Sequence, residues 1–283
     1  MKSGFVVLVG RSNVGKSTLL NTLVGTKIAA TSFRPQMTRN VIHGVVNTPA
    51  GQAVFVDTPG IFKAKRSDLS ARLYNKVNDT LHEEIDVIVY VADPTREIGP
   101  EELATYGLVR HLDIPKILVI NKCDLHPNER PFMESYQAWS KDFNATIELS
   151  ALRGSHIQPL REKVVELLPE GDIMYPDEQL TNIDNKFWIA EIIREKIFSV
   201  MNEEIPYAIA VEVDDVEDKP EIVVVKGRIL TLDDRYKKII IGQGGKKIKE
   251  IGQMARRELE QAINKKVYLE LEVETDKHWV ERV

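Results

Sequence analysis

GRSNVGKS, Gly10 to Ser17, constrains this chain more than any other stretch. It follows the apolar run FVVLVG (5–10) and opens a helical pattern from Lys16 to Val24. Strand, glycine-spaced turn and helix start together fit G-x-x-x-x-G-K-[ST], the signature of a phosphate-binding loop. In a chain of 283 residues a chance match arises on the order of 1% of the time. Glycines let the backbone wrap closely around an anion, and the N–H groups from Asn13 to Thr18 then face it at a helix N-terminus. Gly10, Asn13, Val14, Gly15, Lys16, Ser17 and Thr18 are the expected cradle. Lys16 is placed to reach the β- and γ-phosphates, and the Ser17 hydroxyl to hold Mg²⁺.

Such a loop needs a sheet, and the first 170 residues or so provide one. AVFVDT (53–58), DVIVYVAD (86–93), PKILVIN (115–121) and ATIELS (145–150) read as further strands. Most are continuous Val/Ile/Leu runs, which suits strands covered on both faces. Helical stretches alternate with them: Ser67 to Glu84, Pro100 to His111, Glu129 to Asp142 and Gln158 to Leu168. This alternation predicts an α/β fold, a P-loop nucleotide hydrolase domain with a mainly parallel sheet. NVIHGVVN (40–47) follows no helix and is expected to pair antiparallel with AVFVDT at a sheet edge.

LLPEGDIMYPDEQLTN (167–182), with two prolines, a glycine and several acids, reads as a linker. Beyond it Ile189, Ile192, Ile193, Ile197 and Val200 recur at helical spacing. IAVEV and EIVVVKGRIL follow as strands, then IIIG, a basic helix from Lys246 to Ile263, and VYLELEV (267–273). Helix, strand, strand, helix, helix, strand is a separate α+β module. The expected division is 1–170, a nucleotide-binding domain; 171–183, a linker; and 184–283, the second module.

Composition narrows the setting. An apolar fraction of 43% and a charged fraction of 29% suit a globular protein. Cys123 is the single cysteine, so no internal disulfide forms, and a reducing cytosol is the expected compartment. The first apolar strand is too short for a signal-peptide core, and no apolar run approaches the roughly 20 residues that span a bilayer. The net charge of −5 gives no global sign of nucleic-acid binding, so charge must be read by segment.

Three more loops at strand ends complete a nucleotide site. Asp57 in DTPG can hold Mg²⁺ through water, Gly60 can bring its N–H to a γ-phosphate, and Thr38 can supply a second hydroxyl to the metal. The expected catalytic residues are Lys16, Thr38 and Gly60. The expected metal ligands are Ser17, Thr38 and Asp57. NKCD (121–124) chooses the base. The Asp124 carboxylate can accept from both N1–H and the 2-amino group of guanine, and adenine leaves it unpaired, a discrimination of roughly 10⁴-fold or more. Asn121 ties the loops together, the Lys122 stem lies over the base, and SAL (Ser150, Ala151, Leu152) points the Ala151 N–H at guanine O6. GTP and GDP are the expected ligands.

IIIGQGGKKIKEIG carries a second glycine loop, Gly242-Gln243-Gly244-Gly245. A GxxG turn lacks bulky side chains, so a nucleic-acid backbone can approach it, and the helix behind it favours phosphate. Arg235, Lys237, Lys238, Lys246, Lys247, Lys249, Arg256 and Arg257 gather around it in an otherwise acidic chain. The reading is a KH (type II) module that binds about four nucleotides of single-stranded RNA. Gly242, Gln243, Gly244, Gly245, Lys246, Lys247 and Lys249 are the expected contacts. Ile239 to Ile241, Ile248, Ile251 and Met254 are read as mostly core.

GRSNVGKS, QMTRN, DTPGIF, NKCD and SAL, in that order, resemble the translation-factor class of GTPases. With PEG…YP…T, EIIREK (191–196) and KIIIGQGGKKIKEIG (238–252), essentially the whole chain resembles the bacterial Era family. One departure is Ser12, where the family usually has proline. The resemblance implies a Ras-like G domain and a KH domain that binds ribosomal RNA near the 3′ end of the small subunit. It further implies a part in small-subunit assembly and maturation, slow GTP hydrolysis, and K⁺ held through Asn13. The expected location is cytoplasmic, with peripheral association at the inner face of the membrane left open.

Ile61 stands where many GTPases have a water-orienting glutamine, and its side chain cannot hydrogen-bond a water. A slow hydrolase is therefore one reading, and an RNA-binding assembly factor that holds GTP without turnover is its rival. A GTPase assisting an RNA-modifying enzyme is a third, unsupported by any cysteine-bearing C-terminal motif.

Overall fold

The computed structural model describes residues 1–31, 37, 39–59, 85–201 and 205–282. Thr38, Gly60, Ile61 and the helix expected from Ser67 to Glu84 lie outside the described residues. The chain divides into two compact units, Met1–Asn182 and Ile183–Val283.

The first unit is built on a six-stranded sheet. Its strands are β1 (Lys2–Val9), β2 (Ile42–Thr48), β3 (Gly51–Asp57), β4 (Val87–Ala92), β5 (Lys116–Ile120) and β6 (Ala145–Glu148), in the order β2-β3-β1-β4-β5-β6. Every residue of β3, β4 and β5 is buried, as their unbroken apolar runs predict. All neighbouring pairs are parallel except β2–β3, which is antiparallel with Ile42 opposite Asp57. The edge pairing expected for 40–47 is therefore present. Helices α1 (Lys16–Val24), α2 (Pro100–Val109), the short α3 (Met133–Gln137) and α4 (Ile157–Leu167) accompany the sheet.

Two features depart from the sequence reading. The helix expected from Glu129 to Asp142 is broken into a 3₁₀ turn at Pro127–Glu129, then α3, then a 3₁₀ turn at Ala138–Asp142. Aromatic packing accounts for the break. Trp139 stacks on Tyr106 with centroids 4.1 Å apart, and Tyr136 and Phe143 complete the group around the fully buried Tyr90. Local helix geometry yields to that contact.

The stretch read as a linker belongs largely to the first unit. Gln52, buried at 1% exposure beside the apolar run 53–56, uses its amide as a backbone mimic. Its Oε1 accepts from the Met174 and Tyr175 N–H groups at 2.9 and 3.0 Å, and its Nε2 donates to the Tyr175 carbonyl at 2.8 Å. The Val45 N–H donates to the Leu180 carbonyl at 2.9 Å, and the His43 N–H to Asn182 Oδ1 at 2.9 Å. Residues 170–182 thus run as a strap that satisfies part of the outer edge of β2.

The second unit has the expected order. Helix α5 (Asn185–Val200) is capped by Asp184, whose side chain accepts from the Phe187 N–H at 2.7 Å. Strands β7 (Ile209–Asp218) and β8 (Ile222–Thr231) form an antiparallel pair, with a bulge between Val213 and Asp215. Helices α6 (Asp234–Ile241) and α7 (Lys246–Ile263) then cross over to β9 (Lys266–Thr275), which pairs parallel with β8. A parallel pair requires such a crossover. Ile192, Ile193, Ile197, Ile229, Ile240, Ile251 and Leu259 are among its buried core residues. Among the described residues no helix is long and apolar enough to cross a membrane.

Candidate functional site

Strand β1 lies where the sheet turns from its β3 side to its β4 side, the place where open α/β sheets leave a crevice at their strand C-termini. Gly10 to Ser17 emerges there. Gly15 has φ 104° and directly precedes α1; a Cβ on it would run into the Asn121 side-chain amide, and one on Gly10 would overlap the Val91 carbonyl oxygen. The loop's glycines are therefore fixed by contact as well as by backbone angle. Lys16 is buried, with Nζ donating to the carbonyls of Gly10 at 2.9 Å and Arg11 at 3.2 Å. Burial lowers its pKa, while the Asp57 and Glu102 carboxylates oppose that shift. The Ser17 hydroxyl donates to Asp57 Oδ2 at 2.6 Å, so two of the three expected metal ligands already meet.

Asn121 connects the phosphate side to the base side. Its Nδ2 donates to the Val14 carbonyl at 2.8 Å, and its Oδ1 accepts from the Lys122 N–H at 2.8 Å and the Ala151 N–H at 2.9 Å. The Ala151 N–H, read as a donor to guanine O6, here donates to Asn121 Oδ1, the acceptor that the Val14 contact holds beside it. Ser150 is buried and its Oγ accepts from the Arg153 N–H at 3.0 Å, which shapes the turn behind Ala151. Asp124 is exposed, and Leu152 is 74% exposed, so both side chains are open to a ligand.

Lys122 takes φ 66° and Asn13 φ 64°, two of four non-glycine residues with positive φ among the described residues. Left-handed backbone costs a lysine on the order of 1–2 kcal/mol, and such cost concentrates at functional loops. The Lys122 ammonium pairs with Asp93, Nζ to Oδ2 at 2.5 Å. Sequence reading took Asp93 only as the end of a strand. The sign available was a charged residue, here fully buried, closing an apolar run.

In the second unit Gly242, Gly244 and Gly245 have φ 73°, 60° and 73°. A Cβ on Gly244 or Gly245 would meet nothing within 4 Å, so the turn presents bare backbone to its surroundings. Gln243, Lys246 and Lys249 are exposed and Lys247 is half-buried, which sets ammonium groups beside the turn and the start of α7. Ile240 and Ile251 are buried; Ile239, Ile241 and Ile248 are partly buried against the same core.

The family model described as "50S ribosome-binding GTPase" matches residues 5–122, and that of the KH domain matches residues 204–280. The GTPase Era of Thermoanaerobacter sp. (strain X514) is 42% identical, covering 98% of this chain and 92% of the relative. The chain belongs to the Era family of GTPases. Another Era, from Halothermothrix orenii, is 40% identical over 99% of this chain and 95% of its own. A solved Era in complex with MgGDPNP and nucleotides 1506–1542 of 16S ribosomal RNA superposes with a TM-score of 0.90 at 37% identity, covering 100% of this chain and 96% of that one. A tyrosine-to-alanine variant of Aquifex aeolicus Era bound to GDP and AlF₄⁻ matches with the same TM-score and identity. The chain is thus a GTP hydrolase, with a mainly parallel G domain and a KH domain.

Proposed function

We propose that this Era-family GTPase is a slow switch that binds ribosomal RNA near the 3′ end of the small subunit through its GxxG loop and assists small-subunit assembly. One observation carries the reading. A relative alike over the whole chain was solved holding both a Mg²⁺–nucleotide and the stretch 1506–1542 of 16S ribosomal RNA, and the corresponding two elements are both present here.

The phosphate loop fits its ligand. Gly10 and Gly15 pack so closely on the Val91 carbonyl and the Asn121 amide that only glycine fits there, and Lys16 is held along the loop with its ammonium buried. Phosphates there would add to the Asp57 and Glu102 carboxylates in offsetting the desolvation of Lys16. Ser17 and Asp57, with Thr38, are the residues that would hold Mg²⁺, which when bound neutralises charge on the β- and γ-phosphates. Gly60, outside the described residues, is the residue that would give its N–H to the γ-phosphate. On the base side Asp124 reads the N1–H and 2-amino group, and Lys122 and the apolar Leu152 supply stem and surface for the ring. Asn121 Oδ1 keeps Ala151 in place, and its N–H must exchange that bond to reach O6. With Ile61 in place of a glutamine, hydrolysis proceeds slowly, on charge stabilisation and positioning. Asn13, with left-handed backbone, is the residue for a K⁺ ion.

The test is GTP turnover with and without a small-subunit 3′-end RNA fragment, in K⁺ and in Na⁺. Slow turnover that RNA alters and K⁺ accelerates is expected. Turnover indifferent to RNA removes the switch, and equal rates in the two salts remove the K⁺ role. No turnover in any condition restores the binding-only reading.

A further inference from the structure

We infer that the five-residue turn Asp93–Glu97, outside every nucleotide motif, is a positioning element that couples the base loop to the phosphate loop and sets the rate of nucleotide release. The inference rests on the GTPase reading of the same site and names residues that reading does not use.

The turn is internally rigid. Asp93 Oδ1 accepts from both the Thr95 N–H at 3.0 Å and the Thr95 hydroxyl at 2.7 Å, and the Asp93 carbonyl accepts from the Arg96 N–H at 3.2 Å. From this frame two charged side chains leave in different directions. The remaining oxygen of Asp93, Oδ2, holds the Lys122 ammonium at 2.5 Å in NKCD. The Arg96 guanidinium donates from Nη1 to the Ser12 carbonyl at 3.1 Å in the phosphate loop. A return contact closes the circuit, because Arg11 Nη1 donates to the Glu97 carbonyl at 3.1 Å. Arg11 also lies 3.7 Å from Glu102, a fully buried carboxylate that accepts from Tyr90 at 2.5 Å and from Tyr136 at 3.2 Å.

Each contact is charge-assisted or buried, and such bonds are stronger than exposed ones. Arg96 holds Ser12, and Arg11 is tied to Glu97, so both residues that precede the anion-facing N–H groups are fastened to the turn. Asp93 fixes the ammonium whose stem covers the base, at a residue whose left-handed backbone is itself strained. Loosening either grip frees the turn, and the turn carries the other. Asp93 and Arg96 touch no reacting atom, so their effect belongs to binding and release and not to the bond-breaking step.

The experiment measures dissociation of a fluorescent GDP analogue from the full chain, for the parent and for Asp93→Asn, Asp93→Ala, Arg96→Lys, Arg96→Ala and the Asp93→Ala/Arg96→Ala double variant. Tight binding by the parent checks the nucleotide-site reading by itself. Each alanine variant is expected to release nucleotide about tenfold faster or more, with Asp93→Asn partly restoring the parent rate. The double variant should lose less than the product of the single losses, the mark of a shared element. In steady-state hydrolysis the loss should appear in KM and not in kcat. Circular dichroism of Asp93→Asn and Arg96→Lys checks that these variants fold. Folded variants whose release stays within about twofold of the parent overturn the inference, as do strictly multiplicative losses.

Discussion

Gly15 in the first unit and Gly245 in the second each hold a left-handed backbone, at φ 104° and 73°, and each immediately precedes a helix. Their surroundings are opposite. A Cβ at Gly15 would collide with Asn121, whereas one at Gly245 would meet nothing within 4 Å. The nucleotide loop is wedged between neighbours, Val91 and Asn121, so its shape is a property of the folded core. In the GxxG turn Gly244 and Gly245 present bare backbone at the start of a basic helix. One residue type serves a loop made by packing and a turn left open. The two should therefore fail differently when altered.

The largest effect is expected from Gly15→Ala. The methyl must displace Asn121, which holds Val14, Lys122 and Ala151 together, so GDP affinity should fall by a factor of about 100 or more, measured by calorimetry. The matching change Gly245→Ala adds only left-handed strain of roughly 1–2 kcal/mol and should leave GDP binding at the parent value. A large loss of GDP affinity in the second variant would erase the contrast.

Gln52→Ala comes next. It removes the three bonds to Met174 and Tyr175 and leaves part-buried backbone groups of the strap without that partner. Unfolding in urea should show a loss of about 2–4 kcal/mol, in the transition of the first unit only. A loss below about 0.5 kcal/mol would mean that the strap contributes little to the fold.

The smallest effect concerns Glu102. Burial raises its pKa above the ordinary carboxylate value, against the opposing pull of Tyr90, Arg11, Tyr136 and Lys16. A raised native pKa gives stability that is present below the unfolded pKa and is lost as pH climbs through the native one. Glu102→Gln should therefore gain stability relative to the parent as pH rises from acid toward neutral. Thermal melts across that range check the sign, and a constant difference would contradict it.

Much of this architecture is legible in the sequence because its signals are local. Unbroken Val/Ile/Leu runs gave buried parallel strands, GRSNVGKS placed α1 and its loop, and the order of elements in the second unit followed from spacing alone. Non-local contacts were invisible. The strap looks like a linker until Gln52, some 120 residues earlier, is found to bind it. The break at 133–142 depends on Tyr90 and Tyr106, in other elements. The bond from the Ala151 N–H to Asn121 spans 30 residues, and the reach of Arg96 to Ser12 spans 84. Sequence names the loops; the side chains that hold them come from elsewhere in the chain.

The central claim is that one chain carries two separable sites, a packed one for guanine nucleotide and an exposed one for RNA. The most direct measurement titrates a fluorescent GDP analogue and, separately, a labelled small-subunit 3′-end RNA fragment into Gly15→Ala and into the Gly244→Asp/Gly245→Asp variant. The account predicts a crossed result. The first variant loses GDP and keeps RNA, and the second loses RNA and keeps GDP. Unchanged RNA affinity in the aspartate variant, or joint loss of both ligands in either folded variant, would contradict it.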